Sequence, residues 1–183
     1  MEQADAARAR ATEPAADLDT RFEQVFREHG PSIAAYLSRL VDDQQQAEEL
    51  AQDAFLKAYR ALAPLPAEAN VRAWLYRIAT NCAYDALRRR RRFQWLPFRS
   101  DHSGSVNPGA LDERVAERDA VRQALRQLPP PYRISLVLYA VEGFSTQEIG
   151  EMLHVSANTA KVRIFRARQM FQAAYGEADG ELR

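Results

Sequence analysis

Apolar residues recur at steps of three and four along most of this chain. From Asp19 onward, Phe22, Val25, Phe26, Ile33, Leu37, Leu40 and Val41 follow the helical period. Gly30-Pro31 interrupts that run and is expected to break or kink it; Asp42-Asp43 ends it. A second helix is expected over about Gln44 to Leu62, with an apolar face of Ala47, Leu50, Ala51, Ala54, Phe55, Ala58 and Leu62. Pro64 and Pro66 then force a loop. A third helix is expected from about Asn70, an N-cap by residue type, through the arginine run 88–92. Leu75, Ile78, Ala79, Cys82 and Leu87 line one side of it.

Periodicity vanishes over residues 93–113, which hold Leu96-Pro97 and the run from Ser103 to Gly109. A stretch this long without a pattern reads as an interdomain linker. Beyond it, one helix ends near Leu128 with Val121, Leu125 and Leu128 on one face. The triple proline 129–131 ends that helix, and Tyr132 to Val141 forms the next. No strand-like alternation occurs. The expected fold is all-α: two small helical bundles joined by a flexible linker. The bundles span 18–92 and 114–176, with a disordered tail at 1–17 and a short tail at 177–183.

The clearest local pattern runs from Phe144 to Phe171. Ser145-Thr146-Gln147-Glu148 has the form of a capping box. Ile149, Met152 and Leu153 give the short helix after it one apolar face. His154-Val155-Ser156 makes a tight turn, and Ser156 caps the next helix, from Ala157 to about Tyr175. That helix buries Ala160, Ile164, Ala167 and Phe171. Its other side shows Asn158, Thr159, Lys161, Val162, Arg163, Phe165, Arg166 and Arg168. A capped short helix, a turn and a longer basic helix describe a helix-turn-helix, whose second helix enters the DNA major groove. A helical hairpin with a solvated basic face would give the same pattern.

Charge sharpens this picture. The chain is formally neutral, with 25 basic and 25 acidic residues among 183. The neutrality hides segregation: residues 1–70 are net −6 and residues 71–100 net +7. Residues 157–170 carry Lys161, Arg163, Arg166 and Arg168 with no acid. Two separate basic segments are the footprint of two polyanion contacts. In the first, Trp74, Tyr76 and Tyr84 interleave with Arg72 and Arg77. Cations beside aromatics suit single-stranded DNA, although Trp74 reads more naturally as core. Glu49, Gln52 and Asp53 share one polar face of the second helix, opposite its apolar stripe.

Other chemistry is sparse. One cysteine and three scattered histidines give no metal-ligand spacing and no disulfide. Cys82 lies among small apolar residues and reads as a buried hydrophobe rather than a nucleophile. No phosphate loop, signal peptide or membrane-length apolar run is found. The expectation is a cytoplasmic, non-enzymatic protein without catalytic residues, metal or cofactor.

Taken together, the segments AEELAQDAFLKAYRAL (47–62), WLYRIATNCAYDALRRRRR (74–92) and LPPPYRISLVLYAVEGFSTQEIGEMLHVSANTAKVRIFRAR (128–168) resemble the extracytoplasmic-function (ECF) sigma factors of bacterial RNA polymerase. These form the two-domain branch of the sigma-70 family. The resemblance implies sigma region 2 in the first bundle and region 4 in the second. It implies that Glu49, Gln52 and Asp53 dock on core RNA polymerase, at the β′ coiled coil, with β as a further contact. It assigns Leu65, Asn70, Arg72, Arg77, Asn81, Arg88 and Arg89 to the −10 element, with loop 63–71 and Asn81 capturing a flipped base. It assigns Asn158, Thr159, Lys161, Val162, Arg163, Phe165, Arg166 and Arg168 to duplex DNA at −35. It also implies a cognate anti-sigma factor, often membrane-bound.

Three departures stand out. Leu65-Pro66-Ala67 replaces the usual Phe-Arg-Gly of the −10 loop. Asn158-Thr159-Ala160-Lys161-Val162 replaces the more usual Gly-Thr-Val-Lys-Ser. Phe93, Trp95, Leu96 and Phe98 make the linker unusually apolar. The competing reading is a conventional helix-turn-helix regulator that is not a polymerase subunit; such a protein has no use for the first bundle.

Overall fold

Three helices build the first bundle: α1 (Glu2–Leu40), α2 (Gln44–Leu62) and α3 (Val71–Phe93). Four build the second: α4 (Glu113–Gln127), α5 (Pro130–Ala140), α6 (Thr146–Met152) and α7 (Ala157–Glu181). The computed structural model describes residues 2–41, 43–66, 68–93 and 113–181, and the side chains of 17–41, 43–66, 68–89 and 116–176. The described residues contain no strand. Among them no helix is long and apolar enough to cross a membrane. The linker residues Trp95, Leu96 and Phe98 lie outside the described residues, as does Ala67 of the loop.

The periodic faces become the core as expected. Ile33, Tyr36, Leu37 and Leu40 of α1 meet Ala54, Ala58 and Leu62 of α2 and Leu75, Ala79 and Cys82 of α3. Each fully buried Leu or Ile contributes about 1.5–3 kcal/mol through removal from water. Polar caps fix the helix starts. Asp43 accepts from the Gln45 and Gln46 amides at the start of α2, and Asn70 accepts from the Ala73 amide at 2.9 Å. Inside the bundle the Tyr36 and Thr80 hydroxyls meet at 2.7 Å. Burial pushes the Tyr36 phenol far above its ordinary range, so it stays neutral.

Several boundaries and one buried face differ from expectation. α1 begins at Glu2, inside the stretch read as a disordered tail; alanine-rich sequence favours helix even where no periodic face exists. It also runs on through Gly30-Pro31. An internal proline costs about 3 kcal/mol, and burial of Ile33, Tyr36, Leu37 and Leu40 on the next two turns offsets it. Pro130 and Pro131 start α5 rather than only ending α4, since a first-turn amide has no helical partner to lose. In α4 Val121 is exposed, and the small residues Ala120 and Ala124 are buried with Leu125 and Leu128. Close approach of α7 to α4 selects alanine there.

The two bundles also dock directly, which the tether reading did not anticipate. The ends of α1 and α3 meet α5 and α6. Arg133 of α5 is buried and donates to the Leu40 carbonyl at 2.7 Å and to the Arg126 carbonyl at 2.6 Å. It thereby caps α1 and α4 together, a favourable place for a cation at two helix C-termini.

Candidate polymerase and nucleic-acid interface

α2 exposes Glu49, Gln52 and Asp53 on the side away from its buried Leu50, Ala54 and Ala58. The Gln45 side chain donates to Glu49 at 3.2 Å. Two grooves flank this face. One, of about 720 Å³, is apolar and lies between α1 and α2, with Phe22, Phe26, Phe55, Leu56 and Tyr59 as walls and Gln52 at its edge. Phe26 is 51% exposed and Leu56 56% exposed, although both are large and apolar. The second, of about 340 Å³, lies between α2 and α3 and brings Asp53 and Lys57 to Asp85, Arg88 and Arg89. Cys82 is buried, as expected for a small hydrophobe; its sulfur also accepts from Lys57 at 3.2 Å.

The expected −10 residues divide into two groups. Asn70, Arg77, Asn81 and Arg88 recur near one face of α3, all exposed, with Tyr84 added at 39% exposure and Trp74 half-buried. Arg89 is exposed one position further round. Arg72 points elsewhere. Its guanidinium lies 4.1 Å from the centre of the Phe144 ring and donates to the Glu142 carbonyl at 2.5 Å. Tyr76 follows it into the bundle contact, being 1% exposed. Of the aromatics that interleave with arginine, only Tyr84 offers an open face.

Arg21 was not anticipated. It reaches from α1 to the loop after α2, donating to the Leu65 carbonyl at 2.9 Å and to the Leu62 carbonyl at 3.4 Å. It thus fixes the backbone beside Leu65, itself half-buried. A lone arginine in an acidic segment carries no sequence signal for this role.

In the second bundle the helix-turn-helix forms as the sequence reads. Glu148 accepts from the Ser145 amide at 2.9 Å and its hydroxyl at 2.7 Å, and Ser145 accepts from the Glu148 amide. Those bonds, the backbone one foremost, hold the Glu148 carboxyl below its ordinary range. Ser156 accepts from the Thr159 amide at 3.1 Å and so caps α7. Between the helices His154 takes a positive φ of 53°. Gly150 permits the close turn: a Cβ there would sit 2.8 Å from the Val155 carbonyl oxygen. Glycine is needed because that contact is with backbone.

This turn sets the rotation of α7. Ala160, Ile164 and Ala167 are buried, while Asn158, Thr159, Lys161, Val162, Phe165, Arg166 and Arg168 are exposed. Arg163 is half-buried at the edge of that face. Val162 and Phe165, at 41% and 61% exposure, are large apolar groups held in water. Arg168 lies 5.1 Å from the centre of the Tyr139 ring, which steadies it at the flank. Among the described residues no cluster of His, Cys, Asp and Glu could hold a metal ion.

Comparison with known proteins matches both bundles. The family model for Sigma-70 region 2 covers residues 25–93, and that for Sigma-70, region 4, covers residues 118–171. The RNA polymerase sigma factor CarQ of Myxococcus xanthus is 32% identical over 161 residues, covering 88% of this chain and 92% of CarQ. The ECF RNA polymerase sigma factor SigW of Bacillus subtilis is 31% identical over 142 residues, covering 72% of this chain and 76% of SigW. Among solved structures, the sigma factor RpoE in complex with the anti-sigma factor NepR, from Bartonella quintana, superposes with a TM-score of 0.69 at 27% identity. That match covers 84% of this chain and 96% of RpoE.

Proposed function

The chain belongs to the ECF branch of the sigma-70 family and is a promoter-directing transcription initiation factor; on that premise we propose how its surfaces share the task. Core RNA polymerase docks on the exposed α2 face of Glu49, Gln52 and Asp53. The adjoining aromatic groove supplies apolar area, the usual source of affinity beside a polar rim. The helix-turn-helix reads duplex DNA at −35. The N-terminal half of α7, with Asn158, Thr159, Lys161 and Val162, faces bases. Val162 has no hydrogen bond to offer and suits a thymine methyl. Arg163 and Arg168 hold phosphates, which position without specifying.

The −10 strand runs along the α3 stripe from Asn70 through Asn81 to Arg88 and Arg89. Tyr84 offers a stacking face there, and the arginines neutralise backbone charge. Unstacking a base costs a few kcal/mol, offset by contacts in the loop 63–71 and at Asn81. The protein acts in the cytoplasm with polymerase, carries out no covalent chemistry, and is restrained by a cognate anti-sigma factor.

The single observation that carries this reading is the coexistence of an open basic recognition helix and an acidic, apolar-flanked α2 face on one chain. Run-off transcription with purified core polymerase tests it, alongside pull-down of core by Gln52→Ala/Asp53→Ala. Promoter-specific transcripts and weakened pull-down are expected. Unchanged pull-down by a well-folded double variant would remove the α2 assignment. DNA binding without any transcription would favour the conventional regulator.

A further inference from the structure

The loop after α2 is short of backbone donors. It opens Ala63-Pro64-Leu65-Pro66, and neither proline has an amide hydrogen. The last carbonyls of a helix need donors from outside its own ladder. Here the Leu65 amide supplies one, to the Leu62 carbonyl at 3.1 Å. Arg21 adds three more bonds. Its guanidinium donates to the Leu65 carbonyl at 2.9 Å, to Leu62 at 3.4 Å and to Pro66 at 3.5 Å. Among the described residues no carboxylate pairs with Arg21, so its charge goes to backbone oxygens.

Contacts along one turn of α1 bring Arg21 to this place. The Tyr59 hydroxyl donates to Asp19 at 2.7 Å, and the Phe22 ring meets Tyr59 edge-on with centres 5.1 Å apart. Residues 19–22 are thereby clamped to the last turn of α2, with Arg21 half-buried beside the loop. Further along, the Ala69 amide donates to the Pro66 carbonyl at 3.1 Å, and Asn70 caps α3. The loop is thus held at both ends, by Arg21 at Leu65 and Pro66 and by the α3 cap at Asn70.

We infer that Arg21 is a positioning residue for base capture: it fixes the backbone of Leu65 and Pro66 so that the loop discriminates among unpaired −10 bases. This rests on the −10 reading of loop 63–71 given above. Pro66 stands where the family's loop usually carries arginine, and a guanidinium reaches the loop from α1 instead. Contacts to base edges fail when their support shifts by about 0.5 Å, whereas phosphate contacts position without specifying. Loss of Arg21 should therefore erase discrimination and spare most of the affinity, which the exposed Arg77, Arg88 and Arg89 supply through the strand's backbone.

The full chain assembled with core polymerase tests this on a fork-junction probe. The probe is duplex through −35 and single-stranded across −10, with each of the four bases placed in turn at every unpaired position. Arg21→Met keeps the aliphatic stem and removes every donor. Arg21→Lys keeps the charge and one donor centre, but cannot span two carbonyls as the planar fork does. Competition binding should give wild type a best-to-worst base ratio of about tenfold at the captured position. Arg21→Met should bring that ratio to about threefold or less, with mean affinity over the four bases within about twofold and core pull-down unchanged. Arg21→Lys should fall between, and it carries the test should a thermal melt show Arg21→Met misfolded. A merely structural arginine would lower the melting temperature and weaken binding to all four bases alike. An unchanged ratio in both variants, or an equal loss on every base, would overturn the positioning role and leave the loop reading in place. A wild type that discriminates at no unpaired position would overturn the −10 reading of the loop, and the role of Arg21 with it.

Discussion

α3 and α7 are both basic helices on small bundles, yet they expose their arginines differently. In α7 every residue expected at the −35 element is open except Arg163, half-buried at the edge. In α3 the expected set is divided: Arg77, Asn81, Arg88 and Arg89 are open, and Arg72 is held by Glu142 and Phe144 of the other bundle. Helical period fixes which side of a helix leaves its own core. It does not fix whether that side meets water or a second bundle. A basic face is therefore available in α7 by construction, and in α3 only where no neighbour has claimed it.

The largest effects should come from asking whether the two bundles are one folding unit or two. Leu75→Ala in the first and Ile149→Ala in the second each delete a side chain with 0% exposure. Each should cost about 2–5 kcal/mol. Because each bundle matches a family model of its own, over residues 25–93 and 118–171, calorimetry is expected to show two transitions, with each variant lowering only its own. One shared transition lowered by either variant would make the contact part of a common core and would remove the contrast between α3 and α7.

Next in size are the α7 contacts. Lys161→Ala and Arg166→Ala should each cost about 1–3 kcal/mol in −35 affinity and relax preference at particular base pairs. Arg168→Ala should weaken all sequences alike and flatten the salt dependence. Binding titrations on a promoter and on single-base variants distinguish the two. A base-specific loss from Arg168→Ala would mean that α7 sits in the groove with a different rotation.

Smaller still is the cap that orients α6. Ser145→Ala should cost about 1 kcal/mol. The Glu148 half of that cap is pH-dependent. Its folded pKa lies below the ordinary value of 4.5. Its contribution is therefore complete above that value and is lost as pH falls through the lower folded pKa. Thermal melts of wild type and Glu148→Gln should differ near neutrality and converge in acid. A difference that persists in acid would assign the stabilisation to packing rather than to the carboxylate.

Much of this fold was legible in the sequence because the decisive features are local. The α2 limits, the Asn70 and Ser145 caps and the buried Ala160, Ile164 and Ala167 all follow from residues three or four apart. What stayed hidden is long-range. Arg21 reaches a loop 44 residues away, and Arg133 reaches Leu40 across 93. Each is a single polar residue whose partner is a backbone carbonyl, which has no sequence signature. The exposed Phe26 was hidden for another reason: it shares the helical step of core residues, and only the width of the bundle shows that it misses them.

The smallest expected effect on stability belongs to Asn81, and it bears most directly on α3. Asn81 is exposed, between Arg77 and Tyr84 on the open stripe. Asn81→Ala should therefore change stability by no more than about 0.5 kcal/mol. Its carboxamide offers both donor and acceptor, so it can read a base edge that duplex DNA hides. The variant should keep polymerase binding and −35 affinity yet form fewer open complexes, seen as weaker permanganate reactivity of −10 thymines. A pre-melted bubble should restore only part of the loss, because the pocket contact is still missing after melting. If Asn81 instead ties α3 to its bundle, the melt will shift while reactivity per folded molecule stays normal. Normal promoter opening by a normally folded variant would leave the α3 stripe with electrostatic contacts alone, and base capture would then have to lie wholly in the loop that Arg21 holds.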